Sequence, residues 1–428
     1  MGKGSCKMIQ GEEIRKYYEQ IKHHMEEEWL PFWEKRGCDE EYGGYITSFD
    51  ETGKPNREED KYIVTQSRMI WAYSCLAGFY PKRTEFQEAA RQGVDFLIHH
   101  FWDPVHQGWY WRTTRKGELV DAGKVVYGQS FMIYALSQYG LATGDPRGKE
   151  YACRTFDLLQ KYAADTFNGG YYENLEPDWT ISEAGYAAGD RKSLDIHMHL
   201  MEAFTALCAL TGEEIHKRKL NEVIAIITER MIDWDAGCGR NQFDTAFRPI
   251  PAICIRRTWN DDREKGENIA EAIDTTSYGH NVELSWLLNR AAEVLGDSPD
   301  RFKEVTKRLM QHAFLYGFDD ELGGVYRDGP HIGNAMIHDK EWWQNCEVLI
   351  GLLDAYRTLG DERCWETFKK CWELDTKWMI NHEAGEWRQL LKRDGTPIIS
   401  TLGNPWKAMY QTERMLIECS ERLEKMMN

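Results

Sequence analysis

Four pairs of polar residues three positions apart recur in otherwise apolar stretches: His199 with Glu202, His280 with Glu283, Gln344 with Glu347, and Gln411 with Arg414. On a helix that spacing places both side chains on one face. An imidazole beside a carboxylate is suited to moving protons near neutral pH. One such pair is equally well a hydrogen-bonded core histidine; two, at matching places in two units of one chain, argue for a shared cavity. Other polar and aromatic residues at comparable places are Gln66, Arg68, Lys124, Tyr127, Gln129, Asp195, His197, Trp342, Trp343, Trp406 and Lys407. All are expected near one opening. His197 and His199 could suggest a metal, but residues two apart on a helix point apart and no third ligand has suitable spacing, so no metal is expected. His23, His24, His99 and His100 fall on amphipathic segments and read as surface residues.

Such residues need a frame, and the chain repeats. A Gly-aromatic signature occurs as EYGGY at 41, HQGWYW at 106, FNGGYY at 167, ELGGVY at 321 and AGEWRQLLKRDG at 384, with a weaker DAGCGRNQF at 235. The marker glycines Gly43, Gly108, Gly169, Gly237, Gly323 and Gly385 are 61 to 86 residues apart. Each unit has room for two helices. Apolar periodicity predicts strongly buried helices near 65–79, 127–143, 195–211, 278–295, 342–359 and 406–423. More charged, amphipathic helices are predicted near 11–35, 85–100, 147–163, 214–231, 299–315 and 361–380. Six buried and six half-exposed helices in alternation describe an all-α (α/α)6 barrel, residues 1–428 forming one domain.

The connections are unequal. Buried helices lead into charged ones through short turns such as TGDPR (143–147), TGEE (211–214) and GDSPD (296–300), whose Gly, Asp and Pro stop helices. The return connections are several times longer, carry the signatures and read as hairpins. All of them must crowd the end where the buried helices begin, which is where a ligand site belongs.

Composition narrows the chemistry. A net charge of −17 opposes nucleic-acid binding, which needs a positive field. No apolar run approaches the roughly 20 residues of a membrane span. The 11 cysteines form no CxxC pair and follow no basic-then-apolar leader, so reduced thiols and a cytoplasmic location are expected. No GxGxxG, P-loop or GxSxG motif is present, so cofactor-free acid–base chemistry on a neutral small molecule is expected, by a monomer or homodimer.

The segments TQSRMIWAYS (65–74), KVVYGQSF (124–131), IHMHLMEAFTAL (196–207), SYGHNVELSWLL (277–288), KEWWQNCEVLIGLLDAY (340–356) and NPWKAMYQTERM (404–415) resemble the N-acylglucosamine 2-epimerase superfamily. The likeness runs from about residue 30 to the C-terminus and is greatest to its cellobiose and mannose 2-epimerases. It implies an (α/α)6 barrel and removal of the C2 proton of a reducing sugar through an enediolate. It further implies sugar contacts from Arg68, Tyr127 and His199, a proton-transferring His280 beside Glu283, pocket walls from Trp343 and Glu347, and stacking by Trp406. Asp195 joins the substrate-binding set. The family's pattern has a second histidine in a WKxxYH segment; here the segment reads WKAMYQ, leaving Gln411. An amide binds a hydroxyl but carries no proton near pH 7. A single base suits aldose–ketose isomerisation, whereas epimerisation ordinarily uses one on each face of C2. Tyr410 or His382 could substitute. A glycoside hydrolase using Glu202, Glu283 and Glu347, or a sugar-binding protein without turnover, are the other readings.

Overall fold

The computed structural model describes residues 3–258 and 274–427. Twelve of its helices build the architecture: α1 Lys3–His23, α2 Ile63–Phe79, α3 Thr84–His100, α4 Val126–Thr143, α5 Pro146–Leu158, α6 Leu194–Thr211, α7 Glu214–Ile226, α8 Tyr278–Leu295, α9 Lys303–His312, α10 Trp342–Leu359, α11 Glu362–Leu374 and α12 Tyr410–Met427. The even-numbered helices are covered on nearly every side; in α2, only Cys75 between Ile63 and Ala77 escapes full burial. The odd-numbered ones bury one stripe, as α11 does with Cys364, Trp365, Phe368, Cys371 and Trp372. Each even-numbered helix packs on the next, and α12 packs back on α2, so six inner helices close a ring. The odd-numbered helices lie outside it, α3 between α2 and α4, and α1 against α12. This is the (α/α)6 barrel.

Two boundaries differ from the sequence reading. The segment expected as one helix over 11–35 passes from α1 through a wide π turn, His24–Trp29, into a short helix, Leu30–Glu34. The last inner helix starts at Tyr410, so Trp406 and Lys407 belong to the connection before it.

At one end the turns are short. Four inner helices stop at Gly144, Gly212, Gly296 and Gly360, each left-handed with φ between 66 and 73°, the conformation that glycine adopts without steric cost. At the other end every signature forms a hairpin, for example Cys38 opposite Tyr45, Trp102 opposite Trp109 and Phe318 opposite Val325. Asp39, Asp103, Asp165, Asp233 and Asp319 each accept two backbone N–H groups of their hairpin turn. A lysine two residues before the inner helix pairs with four of these acids: Lys61–Asp39 at 3.0 Å, Lys124–Asp103 at 2.8 Å, Lys192–Asp165 at 2.8 Å and Lys340–Asp319 at 3.3 Å. Lys407 pairs with Glu386 at 3.0 Å in the sixth unit.

Three residues into the inner helices, Gln66, Gln129, His197, Asn281 and Asn345 accept the backbone N–H of Tyr45, Trp109, Tyr171, Gly239 and Val325. Close approach there requires glycine: a Cβ on Gly170 would lie 2.6 Å from His197 Nε2. Gln66, Gln129 and His197, expected at the opening, instead hold the hairpins to the ring, as do Lys124 and Lys407; Asn281 and Asn345, not singled out from the sequence, do the same in their units. Gln344 accepts the Gly279 N–H at 3.0 Å and also lies in the wall between helices. Short strands then link neighbouring units: Lys61–Tyr62 pairs with Arg112–Thr113, and Arg191–Ser193 with Gln242–Asp244. The Phe49–Gly403 bridge joins last unit to first.

Candidate active site

Five residues into α2, α4, α6, α8 and α10 stand Arg68, Phe131, His199, Glu283 and Glu347, with Arg414 at the matching height of α12. One turn nearer the hairpins are Tyr127, Asp195, His280, Trp343 and Gln411. All but Phe131 and Arg414 line one cavity of about 270 Å³. Its remaining lining comes from Glu341 and Trp342 and from the sixth connection, which supplies Gln389, Ile399, Thr401, Asn404, Pro405 and Trp406. Trp406 was expected there and Gln389 lies within the sixth signature; Ile399, Thr401, Asn404 and Pro405 escaped the sequence reading because the stretch after the signature has no counterpart in other units.

The two imidazoles expected to converge do so. His199 Nε2 lies 3.3 Å and His280 Nε2 3.6 Å from Asp195 Oδ1. The other nitrogen of His199, Nδ1, is 2.9 Å from Glu202 Oε2. Burial disfavours charge on His199, but the carboxylates of Asp195 and Glu202 beside it outweigh that and push its pKa up to about 10. It is an imidazolium at neutral pH. The His280 ring packs on Trp343 with centroids 4.5 Å apart.

Beneath them a buried guanidinium organises three acids. Arg414 donates to Glu202 Oε1, to Glu283 Oε1 at 2.8 Å and to Glu347 Oε1 at 2.5 Å. Burial raises Glu202, but Arg414 and the His199 bond overcome it and hold it at about 2. Burial dominates at Glu347: Arg414 opposes it, Glu283 reinforces it, and the carboxyl is pushed up to about 8. Glu347 is therefore biased toward its protonated form, and among the described residues its Oε2 has no hydrogen-bond partner. On the opposite wall Arg68 donates to the Trp406 carbonyl at 2.8 Å and to the Tyr127 hydroxyl at 2.9 Å, with its guanidinium 4.4 Å from the Phe131 ring.

Several expectations need correction. His197 faces away from the cavity: it receives the Tyr171 N–H, and burial pushes its pKa down to about 4. Neither suggested substitute acid reaches the cavity. The Tyr410 hydroxyl donates to Glu202 at 2.9 Å, and His382 is held by Glu28 at 2.9 Å on the outside, half exposed. His24 is buried, not on the surface: Nδ1 meets Glu28 at 2.7 Å and Nε2 accepts the Trp387 indole N–H at 2.9 Å. A third metal-type ligand was not visible along one helix, yet the fold supplies it across two: ligand atoms of Asp195, His199 and His280 all lie within 4.8 Å of one another.

The N-acylglucosamine 2-epimerase family model matches residues 44–412. The chain belongs to this family. It is 30% identical over 398 residues to the cellobiose 2-epimerase of Bacteroides fragilis, covering 91% of this chain and 95% of that protein. The crystal structure of a sugar epimerase from a ruminal bacterium superposes with a TM-score of 0.83 at 27% identity, covering 95% of this chain and 99% of that one. A crystal structure of D-mannose isomerase shares the fold, with a TM-score of 0.80 at 19% identity over 95% and 97% of the two chains. As an epimerase-family protein the chain is an enzyme of carbohydrate 2-epimerisation. Among the described residues no helix is long and apolar enough to cross a membrane. The ten described cysteines are all free thiols.

Within this epimerase, Gln411 stands at the cavity with its Oε1 buried and, among the described residues, without a hydrogen-bond partner. It is a ready acceptor for a hydroxyl and supplies no base.

Proposed function

We propose that this epimerase removes the C2 proton of the open-chain aldose end of a β-1,4 disaccharide of the cellobiose and mannobiose type, by acid–base chemistry on its own side chains. The observation that carries the reading is the pair of imidazoles facing one carboxylate oxygen in the sugar-sized cavity, one of them held as a cation by Asp195 and Glu202. His280 Nε2 takes the proton. The His199 imidazolium and Arg68 face the carbonyl oxygen and stabilise the negative charge that develops there. Trp343 and Trp406 offer flat apolar walls, Tyr127, Gln411 and Glu347 offer hydroxyl partners, and Glu283 fixes the floor through Arg414.

Returning the proton to the opposite face of C2 completes epimerisation; returning it to C1 gives the ketose. Gln411 favours the second outcome as a parallel product, because His280 then serves both steps alone. Hydrolysis fits poorly: all three candidate acids, Glu202, Glu283 and Glu347, are tied to the one Arg414 guanidinium on the cavity floor, which leaves no carboxyl on the opposite side of a glycosidic bond.

Incubating the protein with cellobiose, mannobiose, mannose or glucose in D2O is expected to place deuterium at C2 of the reducing residue or C1 of a ketose. His280→Ala should lower kcat by roughly 10²–10⁴-fold. No label with any of these sugars, or full activity in the variant, sinks the proposal.

A further inference from the structure

We propose that Asp195, His199 and His280 form a binding site for one divalent transition-metal ion of the zinc type, and that the filled site excludes the sugar. The exclusion rests on the sugar-pocket reading above; the ion site does not. Two imidazoles and a carboxylate drawn from two helices, Asp195 and His199 from α6 and His280 from α8, with remaining positions open to a cavity, are a ligand set that zinc and its neighbours accept. Zinc bonds of about 2.0–2.1 Å to N and O place tetrahedral ligands about 3.3–3.4 Å apart. Asp195 Oδ1 already lies 3.3 and 3.6 Å from the two Nε2 atoms.

Two further features prepare the site. Asp195 Oδ1 is inaccessible to solvent and, among the described residues, makes no well-directed hydrogen bond; it is shared at ion-pair distance between the two Nε2 atoms. Glu202 binds His199 Nδ1 at 2.9 Å and is itself fixed by Tyr410 and Arg414. That is the carboxylate–imidazole relay which elsewhere orients Nε2 toward a metal. Of the two guanidiniums nearby, Arg414 is engaged by three carboxylates, and Arg68 is directed to the Trp406 carbonyl and the Tyr127 hydroxyl.

Protein stripped with EDTA and titrated with ZnCl2 by calorimetry, without sugar, is expected to take up one ion per chain. Asp195→Asn, which keeps the shape of the side chain, and His280→Ala should each weaken uptake at least tenfold, and Glu202→Gln by about 10–100-fold. Co2+ in place of Zn2+ should give visible bands of a nitrogen–oxygen site without a thiolate charge-transfer band. Uptake that is absent, unchanged in Asp195→Asn and His280→Ala, or accompanied by the thiolate band overturns the site. With sugar present, Zn2+ should raise KM and leave kcat unchanged; an unchanged KM overturns the exclusion. Zinc uptake by a protein with no sugar activity would instead count against the proposed function alone.

Discussion

At the scale of single residues, two groups at the cavity floor tie stability to pH. Glu347 titrates at about 8 in the fold against an ordinary 4.5, so between those values the folded chain holds a proton the unfolded chain has released. Stability therefore falls as pH rises through that window. His199, raised from 6.5 to about 10, contributes fully below its ordinary value and loses that contribution as pH climbs through 10. The slopes share a sign, so Tm is expected to decline from pH 6 to pH 10. Glu347→Gln, whose amide mimics the protonated acid, should flatten the part between about pH 5 and 8 in a calorimetric series; an unchanged slope would show that Glu347 ionises normally. The same scale shows how far the residues were legible. His199 with Glu202 and His280 with Glu283 were readable from spacing, because a shared helix face is a local property. Gln66 and Gln129 were misplaced for an equally local reason: two positions on a helix amount to more than half a turn. Gln66 opposes Arg68, Gln129 opposes Tyr127 and His197 opposes His199, one of each pair facing the hairpins and the other the cavity.

At the scale of elements, the hairpins are fixed by buried ion pairs that repeat with the units. Lys124 is fully buried and Asp103 nearly so. Removing one partner of such a pair strands a charge in a poorly solvating interior, which costs about 3–5 kcal/mol. Asp103→Leu is expected to destabilise by that amount in urea titrations, and the double variant Asp103→Leu/Lys124→Met to recover most of it. If the single and double variants are equally unstable, Asp103 matters for the two turn N–H groups it accepts and for packing, and not for its pairing with Lys124. The signature glycines were visible in the sequence, but the lysines were not recognised as their partners. The lysine follows its acid by 21 or 22 residues in four units and by 27 in the third, a separation far beyond any helix or strand period, so no local pattern points from one partner to the other. Helix count and order were legible because each amphipathic stripe records its own burial. Trp406 fell outside its expected helix because the WKAMY stretch is apolar whether it runs as helix or as packed connection.

At the scale of the whole molecule, the closed ring makes each inner helix depend on both neighbours, including α12 on α2. Loss of any one opens the circle, so intermediates with part of the barrel intact should be sparsely populated. Far-ultraviolet circular dichroism, tryptophan fluorescence and sugar turnover are expected to fall together in a thermal scan. Separate transitions would mean that the units melt independently, as in an open solenoid. The short turns opposite the cavity, closed by Gly144, Gly212, Gly296 and Gly360, have a practical counterpart. Residues 296–300 are all exposed and lie on the face remote from the hairpins. A peptide tag inserted there, or a resin attached through it, would anchor the enzyme with its opening turned toward the medium, leaving substrate diffusion unimpeded.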